Sequence, residues 1–258
     1  MQKYYFMHIS AVIITHNEER NILRCLNSVQ DVVDEIVVVD SFSTDQTEEI
    51  CKKFEVKFVK QQWQGYSEQK NFANSLAAND WILSIDADEA LTDELKHSIL
   101  KYKNKHVHQS VVFSMNRLTN YCGHWIRHCG WYPDRKIRLW NRKVGKWQGE
   151  IHETLEFSTE VKEKQLKGDL LHYSFENAYE YEEQQFKFAK MRGEHYFKKG
   201  KKHANFYMKV SPIFSFIQNY IFKLGLLDGA DGFHICRTTA KATRLKYQTL
   251  KELTDKNL

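Results

Sequence analysis

The chain alternates short apolar runs with stretches in which apolar residues recur every three or four positions. Residues 10–15 (SAVIIT), 35–40 (EIVVVD), 56–59 (VKFV), 81–86 (WILSID) and 111–115 (VVFSM) are apolar, β-branched runs that read as strands, and the run from Trp81 to Ile85 suits one buried on both faces. Between them, Ile22, Leu23, Leu26 and Val29 share one helical face, as do Thr47, Ile50, Cys51 and Phe54, and then Phe72, Ala73, Leu76 and Ala77. A capping box of Thr15 and Glu18 is expected to open the first helix, and Ser43 or Thr44 to cap the second, where Asp45 would serve equally as a cap or in binding. Strands joined by single crossover helices specify an α/β chain, a mainly parallel sheet flanked by helices. Such sheets bind ligands beyond the carboxyl ends of their strands, here THNEE (15–19), DSFSTDQT (40–47) and DADE (86–89).

None of these turns is glycine-rich, which excludes the dinucleotide fingerprint and the Walker phosphate loop. They carry acids instead. Asp86 and Asp88, two positions apart past an apolar strand, can hold one hard divalent cation and leave its far side open to phosphate. The same residues would equally make an ordinary acidic turn before a helix.

Composition narrows the class. The 258 residues, with 2 prolines and 11 glycines, leave no Pro/Gly linker and suit one domain or two small ones. Five dispersed cysteines fit a reducing compartment, and the opening MQKYYFMHISAVIITHNEE reads as a first strand rather than a leader. Charge is uneven: residues 184–258 hold 15 Lys and Arg against 5 Asp and Glu, and the preceding 183 residues hold 23 against 28.

A first strand ending in THNEE, a second in VVVDSFSTDQT, a helix bearing QKNFA and a fourth strand ending in DADE resemble, as an ordered set over roughly the first 155 residues, the family 2 glycosyltransferases of GT-A (Rossmann-like) fold. GWYPDRKIRLW, GEIHE and YIFKLGLLDGADG resemble more narrowly the lipopolysaccharide inner-core glucosyltransferases that add glucose to heptose. The resemblance implies a catalytic domain over 1–160 and a mostly helical, basic C-terminal region over 161–258. It further implies a UDP-sugar donor (UDP-glucose in the narrower match), a Mg²⁺ or Mn²⁺ cofactor, and inverting transfer of the hexose to a heptose of a lipid A-core acceptor. The rivals are another UDP-sugar or cell-envelope acceptor, and a membrane-surface binding protein that keeps the fold without turnover. Intact Asp40, Asp86, Asp88 and Glu153 argue against the latter.

The resemblance also assigns roles. Thr15, Asn17 and Glu18 would grip ribose or base, although Thr15 and Glu18 would serve equally as caps. Asp40 closes an apolar strand where charge has no structural use, and would accept the uracil imide hydrogen. Lys70 would face the diphosphate, or lie on a solvated helix face. Asp88 would ligate the metal and Asp86 contact ribose or a metal-bound water, with Glu89 orienting its neighbours or starting a helix.

For the base that takes the acceptor proton, Glu153 is favoured, with His152 as metal ligand or orienting partner. Asp134, flanked by Arg135 and Lys136, is expected to have its pKa lowered and to be the poorer base. Arg127, His128, Arg135 and Arg138 suit a phosphorylated sugar acceptor. A zinc site of Cys122, His124, His128 and Cys129 would need unusual spacing.

In the tail, residues 186–209 interleave Lys and Arg with Phe and Tyr, the pattern of an interfacial helix drawn to anionic lipid. Residues 211–227 are apolar but interrupted by Gln218, Asn219 and Lys223, so they can lie on a bilayer rather than span it. A packed helix with a wet basic face is the alternative. No nucleic-acid module accompanies the charge. The expected location is cytoplasmic, peripheral on the inner face of the inner membrane.

Overall fold

The apolar runs become the centre of one sheet. The computed structural model describes residues 4–149, 153–201 and 203–256. Its first half runs β1 (Tyr4–Phe6), β2 (Ile9–Thr15), α1 (Ile22–Val29), β3 (Glu35–Asp40), α2 (Thr47–Cys51), β4 (Lys57–Lys60), α3 (Tyr66–Leu76), β5 (Trp81–Asp86), β6 (Glu89–Leu91), α4 (Asp93–Lys103) and β7 (His106–His108). There follow β8 (Val111–Tyr121), β9 (His124–Ile126), β10 (Asp134–Asn141), β11 (Gly145–Gln148), β12 (Thr154–Phe157), β13 (Lys162–Phe175), α5 (Ala178–Lys198), α6 (Ala204–Ile217) and α7 (Gly229–Asp255). A π-helical turn (Gln218–Phe222) and a 3₁₀ turn (Gly225–Asp228) join the last two helices.

The sheet order is β4-β3-β2-β5-β10-β8-β13-β6, with β9 on β8. β4, β3, β2 and β5 are mutually parallel, and β10 then enters antiparallel to β5. Alternate residues of the parallel strands feed two cores. Ile9, Ala11 and Ile13, with Ile36 and Val38, pack against α1 on one face. Val12, Val37, Val39 and Ile82 join Ala73 and Trp140 on the other. Burial on both faces is why β2, β3 and β5 read as apolar runs, whereas the short edge strand β4 is half-exposed.

The capping box expected of Thr15 and Glu18 does not form, and at the second helix Asp45, rather than Ser43 or Thr44, is the cap. Glu18 closes the first turn of α1 with its backbone carbonyl, which accepts from Ile22 N at 2.9 Å. Asp45 caps α2, accepting from Thr47 N at 3.0 Å.

Two compact units form, and neither boundary falls at 160/161. The first comprises residues 1–117 and 134–173, the second 118–133 and 174–258. The reason is β13, a strand where a mostly helical region was expected: it carries the chain past residue 160 and pairs with β6, His172 opposite Glu89. It lies so close to α4 that a Cβ on Gly168, at φ +90°, would stand 2.3 Å from Leu95 N, so only glycine fits there.

In the second unit α5 and α6 both pack along α7. A Cβ at Gly193 would meet Lys246 O at 2.6 Å, so glycine sets the α5–α7 approach. A small core of Tyr121, Ile126, Phe175, Tyr181, Ile235 and Cys236 completes the unit.

Candidate active site

The carboxyl ends of β2, β3 and β5 carry polar turns, and two of these are stitched to each other. Asn17 N donates to Ser43 Oγ at 2.8 Å, Thr44 N to Asn17 Oδ1 at 2.8 Å, and Glu18 N to Thr47 Oγ1 at 2.8 Å. Asn17, expected on the ligand, is thus a brace between loops. Asp40 is wholly buried and accepts from both the backbone N–H (2.9 Å) and the hydroxyl of Ser43. Its charge therefore does have a structural use, contrary to expectation: it holds the turn that follows β3.

Beside these turns lies a cleft of ≈790 Å³, walled by Thr15, His16, Glu18, Ser41, Trp63, Tyr66, Asp86, Asp88 and His172 among others. That volume is in the range of small-molecule sites. Thr15 Oγ1 is buried without a hydrogen-bond partner among the described residues. Burial, followed by the charges of Asp88, Asp45 and Asp86, raises the pKa of Glu18 despite its bond from Asn21.

A line of alternating charges reaches the cleft wall at Asp86. Asp134 is held by Arg117 Nη2 at 2.8 Å, Arg117 Nη1 stands 3.5 Å from Glu89, and Glu89 accepts from Arg138 Nη2 at 2.6 Å. The same Arg138 nitrogen reaches Asp86 at 2.8 Å, and Asp86 and Glu153 share Lys70 Nζ at 3.0 and 3.2 Å. Glu89 further accepts from the N–H of Asp86 at 3.0 Å, orienting the acidic turn as expected. Buried charges persist only when so paired. Burial pushes the Asp86 carboxyl upward, but Arg138 and Lys70 outweigh it and hold the group well below the usual carboxylate range.

This line revises several expectations. Arg138 is 4% exposed and internal, so it is a brace under the acids rather than an acceptor contact. Lys70, also buried, ties the acidic turn to Glu153. Asp134 is lowered against its own burial by Arg117 and Lys136, whereas Arg135 bonds Ser114 and Glu163 instead. Arg127 and His128 belong to the second unit, where Asp228 accepts from both their N–H groups and faces His128 Nδ1 at 2.8 Å. His152 lies outside the described residues.

Asp88 stands outside the line of paired charges. Its Oδ2 faces His172 Nε2 at 3.1 Å, and its backbone carbonyl accepts from Tyr173 N at 2.9 Å. Sequence reasoning missed His172, because only the pairing of β13 with β6 brings residue 172 beside residue 88. It missed Arg117 for a similar reason. Trp63 and Tyr66, exposed and in edge contact at 4.8 Å, were also missed, although two aromatics in the polar stretch QQWQGY are a usable signal. Among the described residues no three His, Cys, Asp or Glu side chains are grouped to hold a metal. Asp88 and His172 supply two donors of the hard O/N kind that Mg²⁺ and Mn²⁺ accept, leaving phosphate and water to complete the shell.

Acids at the carboxyl end of a parallel sheet, beside a cleft of this size, mark a small-molecule site. Residues 10–160 match glycosyl transferase family 2, and the chain belongs to that family. An uncharacterised glycosyltransferase of Rickettsia typhi is 32% identical over 258 residues, 96% of this chain and 88% of the relative. The lipopolysaccharide core biosynthesis glycosyltransferase LpsC of Rhizobium meliloti is 38% identical over 93 residues, 34% of each chain. The glycosyltransferase SunS of Bacillus subtilis is 37% identical over 56% of this chain and 34% of its own. The protein is a glycosyltransferase, and its mixed α/β architecture is the GT-A fold that the motifs implied.

Proposed function

We propose that the cleft takes a UDP-sugar, UDP-glucose, and that the enzyme transfers the hexose with inversion to a heptose of a lipid A-core acceptor. The observation that supports a nucleoside-diphosphate donor is the pairing of Asp88 with His172 on the cleft wall, outside the line of paired charges that reaches the wall at Asp86. A divalent cation held by these two residues would neutralise charge developing on the departing diphosphate. Thr15 offers an unpartnered hydroxyl to the ligand, and Trp63 and Tyr66 offer ring faces to a base or sugar. Glu153, whose carboxylate stands 3.2 Å from Lys70 Nζ, would take the acceptor proton. The inner-core acceptor is supported by the GWYPDRKIRLW and GEIHE motifs and by the partial likeness to LpsC.

The test is release of UDP from UDP-glucose, UDP-galactose and UDP-N-acetylglucosamine, with Mn²⁺ and with chelator, followed by transfer to a heptose-terminated core fragment. UDP-glucose should turn over fastest, and only with metal. A faster second sugar would overturn the donor assignment. Hydrolysis without transfer to the heptose fragment would overturn the acceptor.

A further inference from the structure

α6 and the turns that follow it face their apolar side outward. Phe206, Val210, Ile213, Phe214, Ile217 and Ile221 recur at the spacing of one helical face, and every one is between 38 and 63% exposed. The face continues past them to Phe222, the most exposed at 76%. No residue of α6 is buried, although the helix packs along α7. Ser211 and Ser215 are half-buried, whereas Val210, Ile213, Phe214 and Ile217 are exposed. This is the reverse of a helix that meets water. A contiguous apolar surface of this kind marks an interaction site.

The charge around the face identifies what covers it. From His195 to Leu227 the chain has six lysines and not one Asp or Glu. We propose that this face seats in the interfacial layer of an anionic bilayer, with α6 in the membrane plane, its rings among the acyl chains and its lysines at the headgroup phosphates. A second copy of the chain would bring two lysine-rich, acid-free faces together, which like-charge repulsion opposes.

Crossing the membrane is disfavoured by the same residues. Among the described residues no single helix is long and apolar enough to span. The bent pair Ala204–Phe222 and Gly225–Asp255, 74° apart, would have to carry Arg237, Lys241, Arg244 and Lys246 into hydrocarbon. The face falls largely in the 211–227 stretch expected to lie on a bilayer, rather than in the basic 186–209 stretch. Most of that stretch is α5, which buries Ala189 and Gly193 and packs on α7, whereas the outward apolar face starts at Phe206.

Vesicle flotation of the full chain tests the proposal independently of the donor assignment. The protein should float with vesicles of phosphatidylcholine mixed with phosphatidylglycerol at low salt, and far less with phosphatidylcholine alone. Phe214→Ser with Phe222→Ser should lower partitioning by about tenfold or more, and Lys198→Glu with Lys199→Glu and Lys201→Glu should abolish the preference for anionic lipid. Both variants change exposed side chains, so circular dichroism and UDP-sugar hydrolysis should stay at wild-type level. Failure to float, or flotation unchanged by the serine pair, overturns the proposal. So does a dimer, seen by light scattering without vesicle binding, that Phe222→Ser converts to monomer.

Discussion

Lys70 Nζ stands 3.2 Å from Oε1 of Glu153, joining two residues 83 positions apart in the chain. The ammonium is 3% exposed and also holds Asp86, so the carboxylate proposed as base is fixed to the same cation as the acidic turn. Glu153→Gln keeps the shape and removes the proton acceptor. Transfer should fall about 10²- to 10⁴-fold while UDP affinity stays near wild type, as read by steady-state kinetics beside calorimetry. Asp134→Asn should cost activity less, and the reverse ranking would exchange the two roles.

The pairing of Asp88 with His172 makes a separate claim. Asp88→Asn and His172→Ala should each remove the dependence of UDP affinity on Mn²⁺ and leave the unfolding midpoint close to wild type, because both side chains sit on the cleft wall. Calorimetric titration of UDP with and without Mn²⁺ decides it. An unchanged metal dependence in both variants would remove the pair from the ion's shell.

Arg138 bridges Glu89, which is wholly buried, and Asp86 on the cleft wall. Arg138→Met leaves Asp86 and Glu89 without this partner, and loss of one member of a buried ionic group costs about 3–5 kcal/mol. Urea denaturation at neutral pH should show a loss of that size. A variant as stable as wild type would mean that Arg117 and Lys70 suffice for both acids.

The carboxylates respond to pH in opposite senses. Asp86 and Asp134 are held below their ordinary values, so the stability they contribute is present above about pH 4 and is lost as pH falls, by up to about 1.4 kcal/mol per pH unit for each group. Glu18 is raised, so the folded state binds its proton more tightly, and stability declines as pH rises from the ordinary glutamate value through the folded one. Urea midpoints from pH 3 to pH 7 should therefore rise less steeply in Asp134→Asn. Glu18→Gln should be more stable than wild type at neutral pH, and a loss of stability there would show that the Glu18 carboxylate is favoured in the fold.

Local chemistry was sufficient for half of this protein. Double-sided burial leaves a strand no polar positions, so β2, β3 and β5 are visible as apolar runs, and the turns after them are where a parallel sheet must put its ligands. Asp86, Asp88 and Glu18 reach the cleft on that basis alone. What each polar residue does there is a matter of its partners, and those come from far along the chain. Arg138 became an internal cation and Lys70 a link between acids only once β10 and the approach to β12 lay beside the parallel strands, whereas the brace that Asp40 makes to Ser43 is local. His172 entered the site through a strand in a region expected to be helical, where Gly168 permits the backbone to approach α4. Periodicity records which faces of an element are apolar. Which cation neutralises which acid, and which face of a helix is left uncovered, depends on contacts between distant segments, and these exist only in the folded chain.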